Sequence, residues 1–183
     1  MDSVVRQRRD GTDLEYIVVD GGSTDGSLDM LRRRREDVDI LISEKDAGPA
    51  DAINKGLRTA TGDLVGWINA DDMLMPGALR RVADVMGRHP AAPLCFGSCP
   101  IVNEEGREIR RGITRFKELF FPISSRFAFQ CINYVSQPAT FFRRAAQQRV
   151  GLLRDDLKAA FDYEFFLRLW RLGPGVRVPG EPL

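Results

Sequence analysis

The sequence contains little of several residue types, and each shortage excludes a class of protein. Its 183 residues include three cysteines, one histidine, and 27 basic against 26 acidic side chains, a formal net charge of +1. Cys95, Cys99 and Cys131 form no CxxC pair, so we expect free thiols in a reducing compartment and not a disulfide framework. The near-neutral charge provides no overall field to recruit nucleic acid or an anionic membrane, so electrostatic attraction has to act locally.

Long apolar runs are also absent. No basic segment followed by an apolar one opens the chain, and no uninterrupted run of about 18 apolar residues occurs, so the sequence predicts neither secretion nor a membrane span. A cytoplasmic protein is the default expectation. The length predicts one domain over residues 1–183, with enough chain for a single sizeable core.

Strand and helix patterns alternate along the first half. Apolar β-branched runs bounded by turn residues predict strands, and apolar residues at helical spacing predict helices. The predicted strands are 15–20, 38–42, 63–69 and 94–96; helices are expected just after residue 26, over 50–60 and just after Pro76. This alternation predicts a three-layer α/β/α fold around a mostly parallel sheet.

The second half has a different pattern. A β-hairpin with a glycine turn is predicted over residues 102–109. A helix with one apolar face is predicted by the spacing of Phe161, Phe165, Leu169 and Leu172. Between them, residues 116–142 are rich in aromatics without a clear period. We expect these aromatics to pack a smaller subdomain over the sheet, with an acceptor groove and a membrane-facing patch as the alternatives.

Acidic residues follow two of the predicted strands. Asp20 ends the first strand, and Asp71 and Asp72 follow the third. Ligands of open α/β sheets bind at the carboxyl ends of strands, so one shared site is predicted. Adjacent carboxylates would repel a nucleoside diphosphate unless Mg²⁺ or Mn²⁺ lay between them, and such ions bind one or two protein carboxylates together with phosphate oxygens. The alternative is that the acidic pair caps the helix near Pro76.

An ordered series of motifs resembles family 2 glycosyltransferases, which have the GT-A fold. The series comprises residues 16–27 (YIVVDGGSTDGS), 43–48 (SEKDAG), 51–56 (DAINKG), 60–63 (ATGD) and 69–72 (NADD). The resemblance implies an enzyme that transfers a sugar from a nucleotide-diphosphate sugar to a glycan or lipid-linked acceptor, with Mg²⁺ or Mn²⁺ and no nucleic acid. It further implies a role in bacterial polysaccharide or cell-envelope assembly, with peripheral association at the inner face of the membrane.

The resemblance also implies a role for individual residues. Residues 1–100 would form the half that binds the nucleotide sugar, and residues 101–183 the acceptor-side half with the catalytic base. Asp72 would be the metal ligand. Gly21 stands where many members have a second Asp. The residues expected to contact the nucleotide sugar are Asp20, Gly21, Gly22, Ser23, Asp46, Asp51, Asp71 and Gln137.

The catalytic base is expected on the late helix. The segment 161–169 (FDYEFFLRL) resembles the part of the family that carries the base, with Asp162 as the best match and Glu164 as the fallback. Inverting transfer needs a carboxylate that accepts the proton of the acceptor hydroxyl. The alternative for Asp162 is a helix N-cap. For Gln137, a buried turn competes with contact to the donor sugar or the acceptor.

One departure from the family pattern concerns the start of the chain. Members normally begin with a strand and a base-binding loop before a helix that resembles residues 2–7, and here the sequence starts inside that helix. A missing central strand would leave its neighbours with unpaired backbone groups. A truncated or degenerate nucleotide-binding module is therefore the first alternative function, and a sugar-nucleotide nucleotidyltransferase is the second, although no triphosphate loop is visible.

Overall fold

The computed structural model describes residues 1–183 and contains eight helices and eight strands. The helices are α1 (Asp2–Arg9), α2 (Ser27–Arg33), α3 (Pro49–Thr59), α4 (Ala78–Arg88), α5 (Arg111–Glu118), α6 (Arg126–Cys131), α7 (Arg144–Val150) and α8 (Phe161–Trp170). The strands are β1 (Ile17–Asp20), β2 (Ile40–Ser43), β3 (Leu64–Val65), β4 (Leu94–Phe96), β5 (Ile101–Val102), β6 (Glu108–Ile109), β7 (Thr140–Arg143) and β8 (Val176–Arg177). The predicted alternation in the first half is confirmed, although β3 is shorter than expected.

The strands form three sheets. β1 and β2 pair in parallel, which places Asp20 opposite Ser43 at their carboxyl ends. A second sheet has the order β3-β7-β4-β8, and β5 with β6 forms the predicted hairpin.

The four-stranded sheet is mixed, whereas the sequence predicted a mostly parallel one. β7 runs antiparallel to both of its neighbours, β3 and β4, while β4 and β8 are parallel. The difference arises because β7 comes from the aromatic segment of the second half and is inserted between two strands of the first half. Its apolar residues then fill the centre of the sheet, as a buried strand requires.

Two hydrophobic clusters cover the two faces of this sheet. Alternate side chains of a strand point to opposite faces, and accordingly Phe96 and Phe142 belong to one cluster while Cys95 and Phe141 belong to the other. The first cluster is completed by α3, α6, α7 and α8, and the second by α1 and α4. The result is the three-layer arrangement predicted from the sequence.

The β1–β2 pair and the four-stranded sheet are not joined by a backbone ladder. β1 pairs only with β2, and β3 pairs only with β7, so one edge of each strand has no partner strand. The carboxylate of Glu15, two residues before β1, instead accepts hydrogen bonds from the backbone N–H and hydroxyl of Thr61, three residues before β3. The two sheets are therefore linked here through side-chain hydrogen bonds and not through a shared ladder.

The aromatic segment of the second half also forms two short helices, α5 and α6, which the sequence pattern did not predict. Phe121, Phe129 and Tyr134 are buried in the first cluster, where the ring centroid of Phe121 lies 5.3 Å from that of Phe96. Most of the segment therefore packs over the sheet, as expected. Four of its large apolar side chains remain exposed, and they are considered further below.

Candidate active site

The first acidic position is the turn that follows β1. Asp20 is only 6% exposed, and its carboxylate accepts hydrogen bonds from the backbone N–H groups of Gly22 and Ser23, each at 3.2 Å, and from the hydroxyl of Ser43 at 2.8 Å. Hydrogen bonds from Ser23 and Ser43 hold the pKa of Asp20 below its usual value, against the effect of burial. The Asp20 carboxylate therefore fixes the shape of the 21–23 turn and the β2 end.

Two glycines allow this turn to pack against the loop after β2. Gly22 has φ +85°, a backbone conformation that a residue with a Cβ rarely adopts. A Cβ at Gly21 would collide with the carboxylate of Asp46, whose Cγ would lie only 3.0 Å away. Asp46 thus lies in the space that a side chain at residue 21 would occupy. The structure therefore brings Asp20, Gly21, Gly22, Ser23 and Asp46 together.

Asp51 lies on the other side of the same loop, in the first turn of α3. Its carboxylate accepts a hydrogen bond from the backbone N–H of Ala47 and lies 3.6 Å from the ammonium of Lys55. The Ala47 hydrogen bond and the charge of Lys55 lower the pKa of Asp51. Lys55 also binds Glu44 at 3.0 Å. Through these contacts Asp51 helps to organise the 44–48 loop that carries Asp46.

The second acidic position follows β3. One carboxylate oxygen of Asp72, Oδ2, accepts hydrogen bonds from the backbone N–H of Asn69 at 2.9 Å and from its side-chain amide at 3.0 Å. The same amide donates to Gln137, and Gln137 in turn donates to the carbonyl of Trp67. Neither Asp71 nor Asp72 caps α4, because its N-cap is Gly77. The helix-cap alternative is therefore wrong.

Gln137 is brought to this second position from the far half of the chain. It begins a short 3-10 turn, Gln137–Ala139, directly before β7, so the antiparallel insertion of β7 places its amide beside the end of β3. The role of Asn69 as the link between Asp72 and Gln137 was not predicted from the sequence. No local pattern would have revealed it, because the pairing spans 68 residues.

The residues after β3 suit a hard divalent cation completed by phosphate oxygens. Burial raises the pKa of Asp72, and the negative charge of Asp71 adds to this effect. Oδ1 of Asp72 has no hydrogen-bond partner, and the neighbouring Asp71 is exposed. No group of three His, Cys, Asp or Glu side chains forms an all-protein cage. Mg²⁺ and Mn²⁺ nevertheless use one or two carboxylates with phosphate oxygens and water, so Asp71 and Asp72 fit such an ion.

The predicted base lies on α8, which packs against the segment between β3 and Asp72. The rings of Trp67 and Phe166 stack with centroids 5.6 Å apart. Asp162 precedes Phe166 by four residues, so both lie on the same side of the helix. The N-cap of α8 is Ala160, and Asp162 lies in the first helical turn, so the N-cap alternative for Asp162 is wrong. A carboxylate is favourable there because of the helix dipole.

Glu164, the fallback base, has a structural partner. Its two carboxylate oxygens bind the guanidinium of Arg168, four residues later, at 2.9 Å, and Arg168 also donates to the carbonyls of Val150 and Leu152. Asp162 has no ion-pair partner, and its carboxylate accepts only the N–H of the next residue. Of the two carboxylates, Asp162 is thus the one available to a ligand.

The predicted site residues therefore form two groups and one separate carboxylate. The first group surrounds Asp20 and Asp46 after β1 and β2, and the second joins Asp72 to Gln137 after β3. No hydrogen bond or ion pair links one group to the other or to Asp162. The first group follows the carboxyl ends of β1 and β2, and the second follows that of β3; ligands of open α/β sheets bind at such strand ends.

The sequence is similar to known proteins. The sequence model of the family described as Glycosyl transferase family 2 matches residues 1–151. The chain belongs to this family. Chondroitin synthase of Escherichia coli is 27% identical over 165 residues, which cover 89% of this chain and 23% of that protein. The chain therefore spans about a quarter of the length of that relative.

Solved structures show the same GT-A fold. S. aureus TarS in complex with UDP-GlcNAc superposes with a TM-score of 0.76 at 20% identity, over 99% of this chain and 51% of TarS. A mannosyltransferase from Pyrobaculum calidifontis, in complex with GDP-Man and Mn²⁺, gives a TM-score of 0.70 at 24% identity, over 97% of this chain and 49% of that protein. The predicted family and fold are confirmed.

The helices of this family 2 domain are all short. None has the length and apolar character needed to cross a bilayer.

Proposed function

We propose that this chain transfers a sugar, with inversion, from a nucleotide-diphosphate sugar to a hydroxyl of a glycan or lipid-linked acceptor. The observation that carries the proposal is the geometry of Asp72, which is held through one carboxylate oxygen by Asn69 and keeps the other oxygen free beside Asp71. The two structural relatives contain UDP-GlcNAc in one case and GDP-Man with Mn²⁺ in the other, which supports a donor of this class.

In this proposal, residues 1–100 bind the donor. The turn organised by Asp20, with Gly21, Gly22, Ser23 and Asp46, holds the base and ribose, and Asp51 keeps the adjacent loop in place. Asp71 faces the ribose, and Asp72 is the ligand of Mg²⁺ or Mn²⁺. When bound, the cation offsets the negative charge of the diphosphate as it leaves.

Residues 101–183 supply the acceptor side. Asp162 accepts the proton of the acceptor hydroxyl while that oxygen forms a bond to the anomeric carbon, and the bond between this carbon and the diphosphate oxygen breaks on the opposite face. The electron pair of that bond leaves with the nucleoside diphosphate. Gln137 orients the donor sugar from beside Asp72. Among the relatives, the chondroitin synthase name supports an acceptor of the polysaccharide class.

The test is donor turnover by Asp162→Asn, followed as release of nucleoside diphosphate. We expect turnover to fall by about 10²- to 10⁴-fold, the usual contribution of a general base, with nucleotide binding unchanged. Glu164→Gln is the matched control, since it removes a carboxylate of the same helix whose observed partner is Arg168. If Glu164→Gln abolished turnover and Asp162→Asn did not, the assignment of the base would be wrong.

A non-catalytic nucleotide-binding module is the second candidate, and the unpaired edges of β1 and β3 favour it. In that case the folded protein would bind nucleotide but release no diphosphate from any nucleotide sugar, before or after substitution of Asp162. The nucleotidyltransferase alternative has no comparable support, because the family match is to sugar transfer.

A further inference from the structure

Five large apolar side chains on and beside α5 and α6 are exposed, although the segment that carries them contributes to the core. Phe127 is 76% and Leu119 71% exposed, the two highest values among the large hydrophobic residues of the chain. We call these five residues the apolar row; they are Ile113, Phe116, Leu119, Ile123 and Phe127. Single exposed apolar residues are ordinary on a protein surface, but a contiguous set indicates an interaction surface.

Helix geometry makes part of this row a continuous stripe. Ile113, Phe116 and Leu119 are spaced by three residues, so they lie along one side of α5 and its C-terminal end. Thr114 is the buried residue of this helix and lies on another side, which faces the protein. The Phe116 ring packs edge-on against Phe120 with centroids 5.3 Å apart, so the stripe is anchored in the partly buried layer beneath it.

Basic residues outnumber acidic ones along the segment that carries the apolar row. Residues 107–131 contain six basic and two acidic side chains, in a chain whose total charge is +1. Arg110, Arg115 and Arg126 are exposed, and none of them forms a salt bridge. Both acidic side chains are engaged, Glu108 with Arg111 and Glu118 with the hydroxyl of Ser98. The guanidinium groups beside the apolar row are therefore available to an anionic partner.

We propose that the apolar row and the arginines beside it dock this protein onto an anionic lipid bilayer. Amphipathic helices bind a membrane interface when aromatic and aliphatic side chains enter the acyl boundary and Arg or Lys side chains remain at the headgroups. Each basic residue near an anionic leaflet contributes about fivefold in affinity, which corresponds to ~1 kcal/mol. The exposed phenylalanine, leucine and isoleucine side chains are suited to the acyl boundary, and the unpaired arginines are suited to anionic headgroups.

The position of the surface relates docking to the candidate site. Lys117 of α5 donates a hydrogen bond to the hydroxyl of Ser136, the residue before Gln137, at 3.0 Å. A membrane in contact with α5 would therefore lie on the acceptor side of the site. Together with the proposed function, this favours an acceptor hydroxyl that is presented by a lipid; the docking itself does not depend on that function.

The test is co-sedimentation of the full chain with vesicles of phosphatidylcholine alone and of phosphatidylcholine mixed with phosphatidylglycerol. We expect binding to the anionic vesicles only, and weaker binding as salt is added. Leu119→Ser with Phe127→Ser should reduce binding at least tenfold, and Arg115→Glu with Arg126→Glu at least about 25-fold. Since all four residues are exposed, far-ultraviolet circular dichroism should be unchanged.

The matched controls are exposed residues outside the surface. Met73→Ser removes another exposed apolar side chain, and Arg88→Glu reverses another exposed charge; both variants should bind vesicles as the unchanged protein does. Equal binding to neutral vesicles, no binding to either kind, or full binding by the Leu119 and Phe127 double variant would overturn the proposal. So would a stable dimer that the double variant separates, because the surface would then be a contact between two copies of this chain.

Discussion

The β1–β2 pair and the four-stranded sheet are built from similar apolar residues but are buried to different extents. Leu94, Cys95 and Phe96 of β4 are completely buried between the two hydrophobic clusters. Ile17, Val18 and Val19 of β1 are all partly exposed, and neither cluster contains them. The difference in burial arises from the neighbouring strands. β4 lies between two strands, whereas β1 has a partner strand on one edge only.

The core is concentrated around the four-stranded sheet, whereas part of the candidate nucleotide site lies in the less buried β1–β2 region. An isolated two-stranded sheet is marginal in water, and β1 and β2 are supported mainly by α3 and by hydrogen bonds of side chains such as Glu15. Yet the turn that carries Asp20 and the loop that carries Asp46 belong to this less buried part. We therefore expect nucleotide binding to stabilise the β1–β2 region more than the four-stranded sheet.

The largest expected effect is a cavity in the four-stranded sheet. Phe142 is fully buried, with its ring centroid 5.2 Å from that of Phe165. Phe142→Ala should lower the free energy of unfolding by about 3–5 kcal/mol. Val18→Ala in β1 is the control and should cost about 1 kcal/mol or less, because Val18 is already partly exposed. Urea denaturation measures both values, and equal losses would contradict the comparison.

An intermediate effect is expected at the contact between Gly21 and Asp46. Gly21→Ala places a methyl group against the Asp46 carboxylate and should cost about 1–3 kcal/mol of stability, as overpacking does. Asp46→Ala in the same protein should recover much of this loss, because it removes the group that collides. Thermal or urea denaturation of the two single variants and the double variant gives the interaction free energy between the two positions. If the two losses of stability simply added, residues 21 and 46 would not be in contact.

A smaller, pH-dependent effect is expected at Asp20. Its pKa is lower in the folded protein, so its contribution to stability is present above the ordinary carboxyl pKa and is lost as pH falls through the folded-state value. Asp20→Asn should cost about 1–2 kcal/mol at pH 7. The stability difference between the two proteins should shrink steadily toward pH 3. Urea denaturation from pH 7 to pH 3 checks this, and a constant difference would contradict it.

Sequence patterns predicted the elements whose signals are local. β1, α3 and α8 have apolar runs or helical spacing bounded by glycine or proline, and their positions agree with the structure within a few residues. β7 escaped prediction because its partners, such as Leu94 opposite Phe142, lie far away in sequence. Its aromatic residues favour a buried strand only when β3 and β4 lie on either side of it. A short stretch of sequence does not contain that information.

The candidate site was predictable to a similar extent. Gly21 and Gly22 marked the turn, and the acidic residues at strand ends marked the sheet edge. The Glu164–Arg168 ion pair could have been recognised from its i, i+4 spacing, which favours such pairs on helices. The link from Asp72 through Asn69 to Gln137 could not, because it depends on how β7 is inserted.

The nucleotide and cation site at Asp72 is tested most directly by calorimetric titration of the protein with UDP, GDP and dTDP, each with and without Mn²⁺. We expect one nucleotide to bind in a manner that depends on the cation, and Asp72→Asn to abolish this binding. Asp63→Asn, which alters an exposed carboxylate just before β3, should leave the binding unchanged. A folded protein that binds no nucleotide, or one whose binding is the same with Asn at position 72, would contradict the assignment of the site.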